Sequence, residues 1–162
     1  MSPLNIYSKS RNDYSEKYED HLFEQYKLYV EMADRISARR QTANTFFVSL
    51  NTILVAIAGY VKSSTSLALF FYFVTSLAGL TICYVWFRLV TSYKKLNSGK
   101  FKVIHAIEAE LPLKLFDAEW EAVGRGEDKN LYRPFTSLEL IVPWIFGILY
   151  FLIILYVIPW NS

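Results

Sequence analysis

Residues 41–61 read QTANTFFVSLNTILVAIAGYV and residues 63–87 read SSTSLALFFYFVTSLAGLTICYVWF, and neither stretch contains a charged side chain. A third uncharged stretch covers residues 140–162. About 20 helical residues cross the roughly 30 Å hydrocarbon core of a bilayer, so each stretch is long enough to span it. We therefore predict an all-α membrane protein with three transmembrane helices, made of a hairpin at residues 41–87 (spans 41–61 and 66–87) and a C-terminal span at residues 140–160.

Three buried helices of a soluble protein are the alternative interpretation of these stretches. A soluble helix of this length carries a polar face, and residues 67–87 and 140–160 have none. The composition excludes two other classes of protein. Hydrophobic residues make up 53% of the chain, which excludes a disordered protein, and Cys83 is the only cysteine, which excludes a disulfide scaffold.

The charged residues are concentrated in two segments, which we predict to be a cytoplasmic N-terminal helix (residues 1–40) and a cytoplasmic helical segment (residues 88–139). Of the 17 Lys and Arg residues, seven lie in the first segment and nine in the second, whereas the hairpin turn holds only Lys62. Lys and Arg accumulate in cytoplasmic loops. The N-terminus is therefore expected in the cytoplasm and the C-terminus on the opposite side of the membrane.

Both charged segments carry helical periodicity. Asp13 and Glu16 resemble a capping box, and an amphipathic helix follows with tyrosines on its apolar face. In the second segment, Ser98-Gly99 predicts a break before another amphipathic helix. Pro143 lies inside the last apolar stretch and predicts a kink. Four aromatic residues are expected to pack against protein in the cytoplasm: Tyr26, Tyr29, Phe101 and Trp120. A position on the membrane surface is the alternative for the N-terminal helix.

Polar and small residues inside the spans indicate contacts between helices. Amides in a bilayer need hydrogen-bonding partners, and small residues allow helices to approach closely. The candidates for contacts between copies, or for the lining of a pore, are Gln41, Asn44, Asn51, Ser76 and Gly79. Packing of these residues inside one protomer is the alternative. No ionisable residue lies inside any span, which argues against a pump or an ion-coupled carrier.

A cluster of basic residues lies next to the predicted spans. Such residues bind anionic lipid headgroups, each contributing about 1 kcal/mol. The candidates for contacts with anionic lipid are Arg35, Arg39, Arg40, Arg88, Lys94, Lys95, Lys100 and Lys102. A specific anionic ligand, either a nucleotide or a lipid headgroup, is the alternative for this cluster.

The sequence contains no convincing catalytic or metal-binding constellation. His105 has Glu108 one turn away, but a structural metal site needs more ligands in a recognisable spacing. Cys83 lies within a span, where no base is available to activate its thiol. We therefore predict no enzymatic activity, no cofactor, no metal and no nucleic-acid partner.

Several motifs together resemble a known family. They are YKLYVEMAD at residues 26–34, RRQTANTFF at 39–47, SYKKLNSGKFK at 92–102, ELP at 110–112, DAEWE at 117–121 and the pair Pro143-Trp144. In combination they are similar to the RipA family of octameric bacterial membrane proteins, over about residues 20–155. The resemblance implies a homo-octamer in the bacterial cytoplasmic (inner) membrane. It brings no settled biochemical activity, and no catalytic residues are carried over from it.

The sequence favours two functions over the others. The first is a homo-oligomeric scaffold or sensor whose ordered cytoplasmic ring binds a cytoplasmic protein partner. The second is a gated pore or membrane-permeabilising effector in stress or phage defence. An enzyme acting on lipid or cell-envelope precursors comes third. In each case the expected partners are membrane lipids and further copies of the chain itself.

Overall fold

The structure is a computed structural model that describes residues 5–61, 66–128, 131–132 and 135–158. Within these residues every regular element is helical, which confirms the all-α class. The five α-helices are α1 (Tyr18–Tyr60), α2 (Ser66–Glu108), α3 (Leu115–Ala122), α4 (Phe135–Glu139) and α5 (Ile141–Val157). Short 3-10 turns occupy Arg11–Asp13 and Gly124–Gly126. The predicted hairpin turn at residues 62–65 and the last two residues of the predicted third span lie outside the described residues.

Helices α1 and α2 are the two that are long and apolar enough to cross a membrane among the described residues. Each contains 43 residues, which corresponds to a length of about 65 Å. Helix α5 is strongly apolar but contains only 17 residues, a length of about 25 Å. The third transmembrane span therefore stays a prediction.

Helix α1 begins later than the sequence predicted. Asp13 belongs to a separate 3-10 turn, in which its backbone N–H donates to Ser10 Oγ at 3.3 Å. The capping-box prediction for Asp13 and Glu16 was therefore wrong, because Ser10 competes successfully for this backbone donor. The long helix starts only at Tyr18.

The break predicted at Ser98-Gly99 is absent from α2. Helix α2 continues through Gly99 to Glu108, because one glycine costs only about 1 kcal/mol in a helix interior and Lys100 and Ile104 beyond it are buried. Pro143 lies in the first turn of α5 rather than in its middle. Leu140 separates α5 from α4, which ends at Glu139, the residue whose carbonyl Pro143 cannot bond because it lacks an N–H. The predicted kink at Pro143 stays a prediction.

The contacts divide the chain into two compact units, and both α1 and α2 contribute residues to each of them. Unit 1 comprises residues 1–39 and 93–134, and unit 2 comprises residues 40–92 and 135–162. The predicted membrane boundaries after residues 40, 87 and 139 stay predictions.

Unit 2 has an apolar exterior around a small polar interior. Trp86 and Tyr150 are each 1% exposed, and Trp86 stacks on Phe47 with a centroid distance of 5.7 Å. Asn51 and Ser76 are also buried. The exposed side chains include Phe46, Ile53, Phe70, Phe73, Leu77, Val85, Ile145, Ile148, Phe151 and Leu152. A surface of this composition is typical of contact with lipid or with another membrane helix.

Unit 1 contains the N-terminal part of α1 and the C-terminal part of α2. Its buried apolar residues are Ala33 on α1 and Ile104 and Ile107 on α2. Lys100 is buried as well, with Nζ 4.2 Å from the centre of the Tyr29 ring. A lysine in this position gains from the aromatic face and covers apolar surface with its methylene groups.

Candidate functional site

The polar interior of unit 2 is built around Asn51. Its Nδ2 donates to the backbone carbonyl of Phe47 at 2.8 Å, and its Oδ1 accepts from Cys83 Sγ at 3.4 Å. The Tyr150 hydroxyl donates to the backbone carbonyl of Asn51 at 3.3 Å. Residues of three helices are therefore joined by hydrogen bonds at one buried amide. An unsatisfied polar group in an apolar environment costs several kcal/mol, so these bonds constrain how the three helices pack.

A second amide, Asn44, lies two turns before Asn51 on α1. Its Oδ1 accepts the indole N–H of Trp86 at 2.8 Å. Asn44 also lines an open, mostly apolar groove of about 380 Å³ on unit 2. Further lining residues are Gln41, Val48, Phe135, Leu138 and Val142. The groove contains one charged side chain, Glu139, whose Oε2 lies 3.3 Å from Arg40 Nε in a largely buried ion pair.

In unit 1 the buried carboxylate of Glu108 is the centre of a different cluster. Its Oε1 accepts from the Tyr26 hydroxyl at 3.1 Å and from the Phe116 backbone N–H at 3.0 Å. Its Oε2 accepts from the Asp117 backbone N–H at 3.2 Å. Because the cap residue Lys114 makes no side-chain hydrogen bond, Glu108 supplies the missing cap. A carboxylate also interacts favourably with the N-terminus of α3.

The same arrangement perturbs Tyr26. Burial, the hydrogen bond to Glu108 and the negative charge of that carboxylate raise the pKa of Tyr26 to about 12. The phenol therefore stays neutral at physiological pH and remains a hydrogen-bond donor. Burial and the charge of Glu110 also raise the pKa of Tyr7, whose hydroxyl donates to the Ala106 carbonyl at 3.3 Å.

His105 lies at the edge of the Glu108 cluster. Its Nδ1 is 3.8 Å from both Glu108 Oε2 and Asp117 Oδ1, and Asp117 also pairs with Arg125 at 3.2 Å. Within the described residues, no group of three or more His, Cys, Asp or Glu side chains is arranged to hold a metal ion. The cluster as a whole fastens the end of α2 to the start of α3.

The sequence of this chain was compared with protein families and with known proteins. The model of the octameric membrane protein family (8xMP) matches residues 23–159, which is most of the chain. This chain belongs to the octameric membrane protein family. The search of curated proteins and the search of solved structures both returned no match. Family membership and the two long apolar helices together indicate an oligomeric membrane protein.

The match confirms the part of the resemblance that concerns octameric membrane proteins. The name RipA is not part of the match. It therefore stays a resemblance.

The five candidates for contacts or pore lining occupy different positions in this 8xMP chain. Asn51 and Ser76 are buried inside the protomer, and the Tyr150 ring covers Gly79. These three positions agree with the alternative in which the candidate residues pack inside one protomer. Gln41 is exposed, and Asn44 is half-buried beside it in the groove. A role between copies stays a prediction for all five.

The eight basic candidates also divide into groups. Lys100 is buried against Tyr29, and Arg40 pairs with Glu139, so both take part in contacts within the protein. Arg35 is exposed and pairs with Glu31 at 2.7 Å. The other five are exposed, namely Arg39, Arg88, Lys94, Lys95 and Lys102.

The four aromatic candidates lie in unit 1. Phe101 contacts Phe116 edge-on with ring centroids 5.7 Å apart, and Trp120 contacts Tyr132 at 6.1 Å. Gly126, with φ +74°, lies against the Trp120 ring, so a side chain at this position would be both strained and crowded. The cytoplasmic location of these residues stays a prediction.

Sequence reasoning missed the role of Glu108, which it considered only as a neighbour of His105. One signal was available. Helix α3 begins at Leu115 with no Ser, Thr, Asp or Asn at its cap position, so another group had to satisfy its first N–H groups. The contact between Gly79 and Tyr150 was also missed, because Gly79 was considered only as a small residue that lets two helices approach closely.

Proposed function

We propose that eight copies of this chain form a non-enzymatic scaffold or sensor in the bacterial cytoplasmic (inner) membrane. In this proposal residues 41–61, 66–87 and 140–160 cross the membrane. Residues 1–40 and 88–139 form an ordered ring in the cytoplasm that binds a protein partner, and the C-terminus lies on the other side. The distribution of Lys and Arg along the chain supports this orientation.

The observation that carries the scaffold assignment is that the Asn51 side chain finds hydrogen-bond partners inside one protomer. Its Oδ1 and Nδ2 both have partners in unit 2, and the side chain is fully buried. A pore would need polar groups that face the path of the conducted species. An Asn51 side chain that is buried and hydrogen-bonded within each copy favours a ring that holds its shape without conducting.

A gated pore, or a membrane-permeabilising effector in stress or phage defence, is the second candidate. One observation favours it, which is that Gln41 is exposed and Asn44 lines the groove on unit 2. A polar path between copies would need a neighbouring copy to contact the protomer at these two amides. The roles in stress adaptation and defence come from the resemblance to the RipA family.

Ion flux through liposomes separates these two functions. The wild-type chain, the double variant Gln41→Leu/Asn44→Leu and the control Thr52→Leu, an exposed position on the same helix, are reconstituted at equal density. The scaffold predicts no flux above empty liposomes for the wild type. Flux in the wild type and the control that disappears in the double variant would establish the pore and overturn the scaffold.

Two partners belong to the scaffold proposal. A cytoplasmic protein is expected to bind the full-length chain in membranes, and cross-linking from Trp120, which is partly exposed, should capture it. Anionic lipid headgroups are expected at the exposed positions Arg39, Arg88 and Lys94. Native mass spectrometry of the detergent-solubilised protein with added phosphatidylglycerol or phosphatidylcholine tests these contacts, and equal binding of both lipids would contradict them.

A further inference from the structure

Unit 1 exposes an acidic stripe along α1. The inward face of the helix is occupied by Ala33, Tyr26 and Tyr29. Glu24 and Glu31 lie opposite Ala33 and Asp34 about 100° from it around the helix; they follow one another at intervals of seven and three residues and are all exposed. Residues at this spacing lie on one face of a helix. We call these three residues the acidic stripe.

Neighbouring cations neutralise only part of the acidic stripe. Lys27 pairs with Glu24 and Arg35 pairs with Glu31, each at 2.7 Å. Asp34 forms no ion pair within the part of the chain that the structure describes. Three acidic residues against these two paired cations leave the stripe with one negative charge that is not paired, at Asp34.

The same unit exposes a basic stripe along α2. Lys95 and Lys102 are exposed and seven residues apart, on the face opposite the buried residues Lys100 and Ile104. Gly99 lies between them, and a Cβ added there would meet no atom within 4 Å. We call Lys95 and Lys102 the basic stripe. Its centre is open, and a second helix can approach it closely.

The two stripes lie at the same level along the helices. Lys100 contacts Tyr29 and Glu108 contacts Tyr26, so α1 and α2 run antiparallel in unit 1. Lys95 is five residues before Lys100, and Asp34 is five residues after Tyr29, which places Lys95 level with Asp34. By the same count Lys102 is level with Lys27, within about one 5.4 Å turn of both Glu24 and Glu31.

We propose that the basic stripe of one copy docks on the acidic stripe of the next copy in the octamer. A closed ring needs two different, complementary faces on each protomer. Rotation about an axis parallel to the helices preserves their level, so Lys95 meets Asp34 of the next copy and Lys102 meets Glu31 and Glu24. The proposal rests on the homo-octamer proposed above and assigns one of its interfaces.

A second copy fits these observations better than a lipid surface does. Anionic headgroups would account for the basic stripe but not for an acidic stripe of the same pitch at the same level. Opposite charges on facing helices select the partner and the register. Lys94 is one residue from Lys95 but about 100° around the helix, so it lies outside the basic stripe and serves as a matched control.

Charge reversal in the full-length protein tests this interface. The variants are Lys95→Glu/Lys102→Glu, Glu31→Lys/Asp34→Lys and the combination of all four changes, with Lys94→Glu as control. Copies per assembly are counted by native mass spectrometry in low-salt detergent solution, because salt screens exposed charges. Each double variant should need a roughly tenfold higher protein concentration for half-assembly. The variant with all four changes and the control Lys94→Glu should assemble like the wild type.

Disulfide formation gives an independent measurement of the same contact. The pair Asp34→Cys and Lys95→Cys should give a ladder of linked copies on oxidation, while Asp34→Cys with Lys94→Cys should give much less. An intact wild-type octamer that gives no such ladder would overturn the docking proposal. Failure of the variant with all four charge reversals to restore assembly would overturn it as well.

Two further outcomes have separate meanings. Octamers that persist in Lys95→Glu/Lys102→Glu but no longer retain added phosphatidylglycerol in the native mass spectrum would assign the basic stripe to lipid and overturn the docking proposal. A wild-type chain that is not octameric would overturn the proposed homo-octamer itself.

Discussion

The ring of Tyr150 on α5 lies directly over Gly79 on α2, so close that a Cβ at position 79 would overlap three carbon atoms of the ring. Tyr150 is held in this position because its hydroxyl donates to the Asn51 backbone carbonyl. One glycine thus allows α5 to reach the polar centre of unit 2.

Gly79→Ala should destabilise unit 2 by about 1–3 kcal/mol, because the added methyl group displaces a buried ring. The measurement is the midpoint of thermal unfolding in detergent, followed by tryptophan fluorescence. Gly59→Ala is the matched control, since a Cβ there meets no atom within 4 Å. Equal midpoints for Gly79→Ala and the wild type would contradict the described contact between α2 and α5.

Glu108→Ala should release the start of α3. The substitution removes the acceptor of the Phe116 and Asp117 backbone N–H groups, and each lost bond to a charged group costs about 1.5–3 kcal/mol. Hydrogen exchange at these two amides should accelerate by at least tenfold, which corresponds to about 1.4 kcal/mol. Glu110→Ala removes an exposed carboxylate and should leave the exchange unchanged. Unchanged protection in Glu108→Ala would show that the carboxylate is not the cap.

Deprotonation of Tyr26 at alkaline pH should lower the stability of unit 1. Its folded-state pKa of about 12 lies above the ordinary value of 10.0, so the neutral phenol is favoured in the folded protein. This contribution is fully present below about pH 10 and is lost as the pH rises towards 12. The stability difference between the wild type and Tyr26→Phe should therefore shrink over that interval. A constant difference would contradict the prediction, as would a difference titration that gives Tyr26 an ordinary pKa.

Asn44→Ala should weaken the contact between α1 and α2 in unit 2. The Trp86 indole N–H would lose its acceptor while remaining buried, at a cost of about 1–3 kcal/mol. Thr45→Ala, an exposed neighbour, is the control. Thermal unfolding reports the loss. The Trp86 fluorescence maximum should also shift, and an unchanged spectrum together with unchanged stability would rule out this hydrogen bond.

The helical class and the two long apolar helices could be predicted because they depend on local properties. Uninterrupted stretches of more than 20 uncharged residues determine both length and environment without any knowledge of tertiary contacts. The same reasoning could not place the breaks. It gave Gly99 too much weight, because the burial of Lys100 and Ile104 outweighs the small cost of glycine in a helix.

The partners of the polar residues could not be predicted from the sequence. The amides of Asn44 and Asn51 indicated hydrogen bonding within the membrane, but periodicity does not tell which helix supplies Trp86 or Cys83. The same limit applies to Glu108, whose partners Phe116 and Asp117 lie beyond a turn whose path depends on the packing of α3.

Electron cryo-microscopy of the wild-type protein in lipid nanodiscs tests whether the chain forms an octamer in which the Asn51 side chain is hydrogen-bonded inside each copy. The account predicts eight copies, with Asn51 enclosed in every protomer beside Cys83 and no continuous aqueous path between the copies. Eight copies with Asn44 and Asn51 turned towards an open path along the axis would contradict it.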